Sequence, residues 1–171
     1  MTATQQFIGT LQSLKPGDLG RLRKLGGLPL DESVDGFDLF AGLWWPLREK
    51  CQRAPRREVA WLVAKLYAFC PLPHLDGATL PACLGRAGPA GNRAARRQQQ
   101  KFDELLTLPL GQSEPALQWA IRVVADTGIR PGVVADTGIG LDWVRLTDDL
   151  SFWEREAIRL RWAKQYLQMT D

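Results

Sequence analysis

Hydrophobic positions along the chain recur at helical spacing, and Gly and Pro cut the pattern into short pieces. Phe7, Ile8, Leu11 and Leu14 share one face of a helix expected over about Gln5–Leu14. Lys15-Pro16-Gly17-Asp18 breaks it, and Asp18 is placed to cap a second helix, Leu19–Leu25, ended by Gly26-Gly27. A third helix carries Phe37, Phe40, Leu43 and Trp44 and is expected to stop or kink near Pro46. The fourth, Arg57–Phe69, is apolar nearly all round, which places it in the middle of a core. Residues 71–92 hold Pro71, Pro73, Pro81, Pro89 and several glycines, the composition of a loop with one short helical turn.

A fifth helix is expected over Arg93–Leu106 and a sixth from Ser113, whose hydroxyl can cap it, to Asp126. The last begins near Leu141 and reaches Met169. Ser151-Phe152-Trp153-Glu154 has the form of a capping box, so a fresh helix is expected from Ser151. Strand patterns are nearly absent; the Val-Val pairs at 123–124 and 133–134 are the candidates, and the first fits a helix better. The expected fold class is all-α, a compact helical bundle of about seven to nine helices. One domain over residues 1–171 is expected, with N- and C-terminal helical halves joined by segment 71–92.

The heptapeptide Val-Val-Ala-Asp-Thr-Gly-Ile occurs at 123–129 and again, unchanged, at 133–139. Ten residues is too short for a solenoid unit and is not a whole number of helical turns. The repeat is therefore expected to be a local tandem duplication, one copy finishing the sixth helix and the other lengthening the next loop. A two-site binding element is the alternative.

Composition narrows the function less than it narrows the fold. The net charge is only +3, and 45% of residues are hydrophobic, as in an ordinary globular protein. Cys51, Cys70 and Cys83 are widely spaced and suggest neither a disulfide framework nor a zinc site. The opening Met1-Thr2-Ala3-Thr4-Gln5-Gln6 lacks the basic-then-apolar order of a secretory signal, and no apolar run approaches the ~20 residues that span a bilayer. A cytoplasmic protein without membrane contact is expected.

Catalytic chemistry finds little support. His74 has only Asp76 near it in sequence, an arrangement more typical of a hydrogen-bonding loop residue than of a general base. Asp148-Asp149 are neighbours that point in different directions on a helix, unlike a metal-binding carboxylate cluster. Gly85–Gly91 lacks the Lys-Ser/Thr ending of a phosphate-binding loop, and no nucleophile motif is present. No catalytic residue, metal or cofactor is expected.

The arginines are the distinctive feature, because they come in clumps: Arg21, Arg23 and Lys24; Arg53, Arg56 and Arg57; Arg93, Arg96 and Arg97. Arginine's planar fork of donors matches a phosphate. On the fifth helix, Arg93, Arg96, Arg97, Gln100 and Glu104 fall within one arc, and Phe102, Leu105 and Leu106 fall opposite. Five basic residues and no acid lie between Arg86 and Lys101. Near the C-terminus, Leu150, Trp153, Ala157, Leu160 and Leu167 make an apolar face, with Arg155, Arg159, Trp162 and Tyr166 on the other side. Arginine interleaved with aromatics can hold a phosphate and stack a base; the plainer reading keeps Trp162 and Tyr166 in the core under cation–π covers. The candidate nucleic-acid-binding residues are Arg21, Arg23, Lys24, Arg53, Arg56, Arg57, Arg93, Arg96, Arg97, Lys101, Arg155 and Arg159. A helical adaptor whose arginines pair with an acidic protein partner is the alternative.

Phe7-Ile8, Leu11, Leu14-Lys15-Pro16-Gly17-Asp18 and Leu22-Arg23-Lys24 resemble the opening of the CasB family, the small subunits of type I-E CRISPR Cascade. Gly140-Leu141-Asp142-Trp143, Leu146, Asp149-Leu150, Trp153, Arg159 and Trp162-Ala163-Lys164-Gln165-Tyr166 resemble its end. The sequence departs from the family at the duplication, where Arg130-Pro131-Gly132 and a second copy intervene. The resemblance implies an all-helical, non-catalytic subunit that binds crRNA and both strands of target DNA without reading sequence, stabilising the R-loop. It implies as partners the backbone and large subunits of Cascade and a second copy of the chain.

Overall fold

The computed structural model describes residues 1–32, 34–50, 55–89, 91–127 and 139–170. Their regular structure is helical: α1 (Ala3–Gln12), α2 (Pro16–Lys24), α3 (Val34–Lys50), α4 (Arg57–Phe69), α5 (Leu80–Arg86), α6 (Asn92–Thr107), α7 (Glu114–Thr127), α8 (Trp143–Ser151) and α9 (Glu156–Thr170). Pairing of the β type is confined, among these residues, to one bridge between His74 and Leu141. The all-α expectation therefore holds.

The chain gathers into two compact units, Met1–Pro71 with Trp143–Ser151, and Leu72–Asp142 with Phe152–Asp171. In the first, α4 is the central helix; every residue from Val59 to Ala68 is buried, as its unbroken apolar pattern requires. Around it lie Phe7, Ile8 and Leu11 of α1, Leu22 of α2, Phe40 and Leu43 of α3, and Trp143, Leu146 and Leu150 of α8. Tyr67 meets Trp143 edge to face at 5.3 Å, and the Thr4 hydroxyl donates to Asp148 Oδ1 at 2.9 Å. Burial pushes the Tyr67 phenol above its ordinary pKa.

In the second unit, α5 and α9 pack so closely that a Cβ on Gly85 would come within 2.6 Å of the Tyr166 carbonyl oxygen. Leu80, Leu84, Phe102, Leu105, Leu117 and Ile121 complete this core with Trp153, Trp162 and Tyr166. Tyr166 stacks on Phe102 at 4.5 Å, and Trp153 meets Trp162 edge to face at 4.9 Å. The plainer reading of Trp162 and Tyr166 is thus the right one, since both are core residues.

Several boundaries differ from those the sequence suggests. α1 starts earlier than expected, on a capping box between Thr2 and Gln5. α2 begins at Pro16, so Asp18 lies inside its first turn instead of capping it. Proline suits that position because its fixed φ is helical and its missing N–H would be unsatisfied there anyway. α3 runs on through Pro46 to Lys50. Pro46 and Gly42 both lie on the exposed side, where water can serve the carbonyl that loses its donor. The Ser113 hydroxyl donates to the Leu110 carbonyl.

The C-terminal segment departs furthest. Ser151 ends α8, its hydroxyl donating to the Thr147 carbonyl, and α9 starts only at Glu156. Because the helix is interrupted, its angular phase does not carry across, and the expected apolar face splits. Leu150 and Trp153 are buried, whereas Ala157 is exposed and Leu160 and Leu167 are 56% and 50% exposed. The first copy of the repeated heptapeptide does finish a helix, α7, through Thr127; residues 128–138, which hold most of the second, lie outside the described residues.

Candidate nucleic-acid interface

The arginine clumps fall into different structural situations. In the last turn of α2, Arg21 lies 3.9 Å from Asp18 one turn back, and Lys24 is exposed. Arg23 is partly committed to the fold, because its Nε donates to the Ala68 carbonyl at 2.9 Å near the end of α4. Arg56 and Arg57 open α4 and are exposed, Arg57 lying 3.8 Å from Glu58. Arg53 lies outside the described residues.

The strip on α6 is the most coherent. Arg93, Arg96 and Arg97 are all exposed, while Gln98, Phe102 and Leu105 on the other side are buried. With Asn92 and Gln100 the three arginines line one open depression. At about 1.5 Å per residue, Arg93 to Gln100 covers about 10 Å of helix axis. Gln98 fixes the rotation of the helix, its amide donating to the Leu84 carbonyl at 2.8 Å and approaching the Tyr166 hydroxyl at 3.4 Å. Lys101 is laid over the Trp119 ring at 5.3 Å, which draws it from the arginine strip toward α7. Asn92 is a member of the depression that the sequence reading missed; standing just before Arg93 at the helix start, it was legible in principle.

The electrostatic setting of this strip is unusual. The start of an α-helix carries partial positive charge, and acids there are stabilising. α6 has no acid in its first turn, and its N-cap, Gly91 at φ +105°, supplies no capping side chain. Three arginines occupy the first turn and a half instead. First-turn N–H groups, helix dipole and guanidinium donors thus all favour an anion at one place.

Near the C-terminus, Arg155 is exposed and covers the Phe152 ring at 4.6 Å. Arg159 is half-buried, with its Nε shielded from solvent and lacking a hydrogen-bond partner among the described residues. The predicted interleaving of arginine with exposed aromatics is therefore absent on α9, because Trp162 and Tyr166 face inward.

Residues of potential chemical use also lie outside the arginine clumps. His74 Nε2 lies 2.8 Å from Asp76 Oδ1, and His74, Asp76 and Asp142 bring one ligand atom each within 4.8 Å of one another. Hydrogen bonding accounts for the arrangement: the Asp142 carboxylate accepts from the Gly77 N–H, and Leu75 and Pro73 pair with Leu141. Asp76 is almost wholly in solvent. Burial pushes the Cys83 thiol up, and the nearby Arg86 partly opposes it. Burial also raises the Tyr166 phenol, the Gln98 hydrogen bond opposing and Asp103 adding to the shift. No helix among the described residues is long and apolar enough to cross a membrane.

Comparison with known proteins places this geometry in context. The family profile described as CRISPR-associated protein Cse2 matches residues 18–167. Solved structures of similar fold include CasB from M. ruber, at 21% identity and TM-score 0.71, covering 98% of this chain and 94% of that one. A Cse2-family CRISPR-associated protein from Thermus thermophilus aligns at 24% identity and TM-score 0.71, covering 98% of this chain and 99% of its own. A structure of CasB from Thermus thermophilus aligns at 25% identity and TM-score 0.69 with the same coverage. No curated protein matches in sequence.

Proposed function

The chain belongs to the CRISPR-associated Cse2 (CasB) family of Cascade subunits, and on that premise we propose that it grips nucleic-acid backbone without reading sequence. It acts as the small subunit of a type I-E complex and takes no catalytic part. Its ligands are the target and displaced DNA strands near the crRNA. It stands beside the backbone and large subunits and a second copy of itself, in the cytoplasm.

The observation that carries this reading is the start of α6. Arg93, Arg96 and Arg97 sit exposed at the positive end of a helix, where they cost stability unless an anion joins them. A phosphate backbone is the anion that repeats along such a strip. The physics of the R-loop suits a modest grip, since one duplex is exchanged for another at nearly equal free energy and a few backbone contacts tip the balance.

Titrating salt against the affinity for single-stranded DNA tests the proposal. Each phosphate contact on a single strand contributes about −0.7 to the log–log slope, so Arg93→Ala/Arg96→Ala/Arg97→Ala is expected to flatten it by about 2 and to weaken binding at low salt. A slope that is already flat in the wild type, with no loss in the triple variant, would exclude the reading.

A further inference from the structure

One helix face carries features opposite to those of the arginine strips. On α3, Val34, Phe37 and Trp45 are 86%, 52% and 56% exposed. At 100° per residue they fall within one arc, and Asp38 and Glu49 border that arc on one side. Just before the helix, Asp31 and Glu32 are also exposed. Arg48 falls within the same arc in the last turn and Lys50 ends the helix, so the acidic character is concentrated at the near end, at Asp31, Glu32 and Asp38.

Trp45 is not a loose surface side chain. Its indole N–H donates to Glu49 Oε1 at 2.8 Å, and its ring meets Trp44 edge to face at 5.9 Å. Trp44 is stacked on Phe40, which is buried against Trp61. The exposed indole is thus held in place from the core outward. A large aromatic already fixed in its bound orientation loses little freedom on association, which is the usual character of an interface anchor.

We infer that the exposed face of α3 is the protein-docking surface of this subunit, and that it receives a basic, apolar segment of another Cascade subunit. Charge selects the class of occupant. Nucleic acid is repelled by Asp31, Glu32 and Asp38, whereas lysines or arginines flanking apolar side chains match both the acidic border and the Phe37–Trp45 stripe. The inference rests on Cascade membership and is independent of whether the arginine strips bind DNA. It divides the labour of the molecule, with arginines on α6 for phosphate and an aromatic–acidic face on α3 for protein.

The test uses the full chain and, as probe, the Cascade assembly of the same host purified without this subunit. Two variants are compared with wild type for incorporation: Phe37→Ser/Trp45→Ser, and Asp31→Lys/Glu32→Lys/Asp38→Lys. Each is expected to bind the assembly at least tenfold more weakly, while the free variants hold single-stranded DNA as well as wild type or better. The second variant changes only exposed side chains, so it decides the matter if the first unfolds. Wild-type incorporation of both overturns the inference. Loss of DNA affinity in both variants would assign the face to nucleic acid, and loss of self-association alone by light scattering would assign it to a second copy; either overturns it too. A flat salt slope for DNA would defeat the proposed grip yet leave the incorporation result standing.

Discussion

Arginines that look alike in sequence are expected to answer substitution with opposite signs. Arg23 fastens α2 to α4 through the Ala68 carbonyl, so Arg23→Ala should destabilise the protein by about 1 kcal/mol in urea unfolding. Arg23→Lys should not restore it, because lysine has no donor at the Nε position. Arg93, Arg96 and Arg97 oppose the dipole of α6, and removing them should leave stability unchanged or raise it by about 0.3 kcal/mol or more. A residue that binds at a cost to the fold is separated in this way from one that supports the fold. The clump pattern made all of these arginines visible in the sequence. It could not show which guanidinium was already engaged, because Ala68 lies 45 residues from Arg23.

At the scale of elements, the contact between α5 and α9 is the least tolerant point. Gly85→Ala would put a methyl group 2.6 Å from the Tyr166 carbonyl oxygen and 2.9 Å from Met169 Cβ, and backbone cannot yield as a flexible side chain can. A loss of about 1–3 kcal/mol is expected, read as a lower thermal midpoint, with Gly42→Ala on the open side of α3 as a control that does not clash. Helices with a strong intrinsic pattern, such as α4 and α6, were legible almost to the residue. α3 was not, because the cost of Pro46 depends on whether its neighbours are in water. α9 was not, because interruption of the helix between Ser151 and Glu156 reset the phase, turning Leu160 and Leu167 outward and Trp162 and Tyr166 inward.

At the scale of the molecule, burial of three weak acids among the described residues gives stability a dependence on alkali. Tyr67, Tyr166 and Cys83 hold their protons more tightly folded than their ordinary values of 10.0, 10.0 and 9.0 imply, in each case mainly through burial. The unfolded chain releases those protons first, so from about pH 9 upward it binds fewer than the folded chain and stability falls as pH rises. Below about pH 8 these groups are protonated in both states and contribute no slope. Urea midpoints should therefore drop as pH rises from about pH 9, and Tyr166→Phe should make the drop shallower. The sequence alone determined the all-helical class, the central place of α4 and the α6 arginine strip, because helical periodicity and local charge need only neighbours a turn away. Its family resemblance at both ends was also legible. Only the tertiary structure decided that α8 returns to the first unit, that Trp162 and Tyr166 are core, and that Phe37 and Trp45 stand exposed. An apolar residue carries the same hydrophobicity wherever it falls, and which side of a helix is covered depends on partners that are distant in the chain.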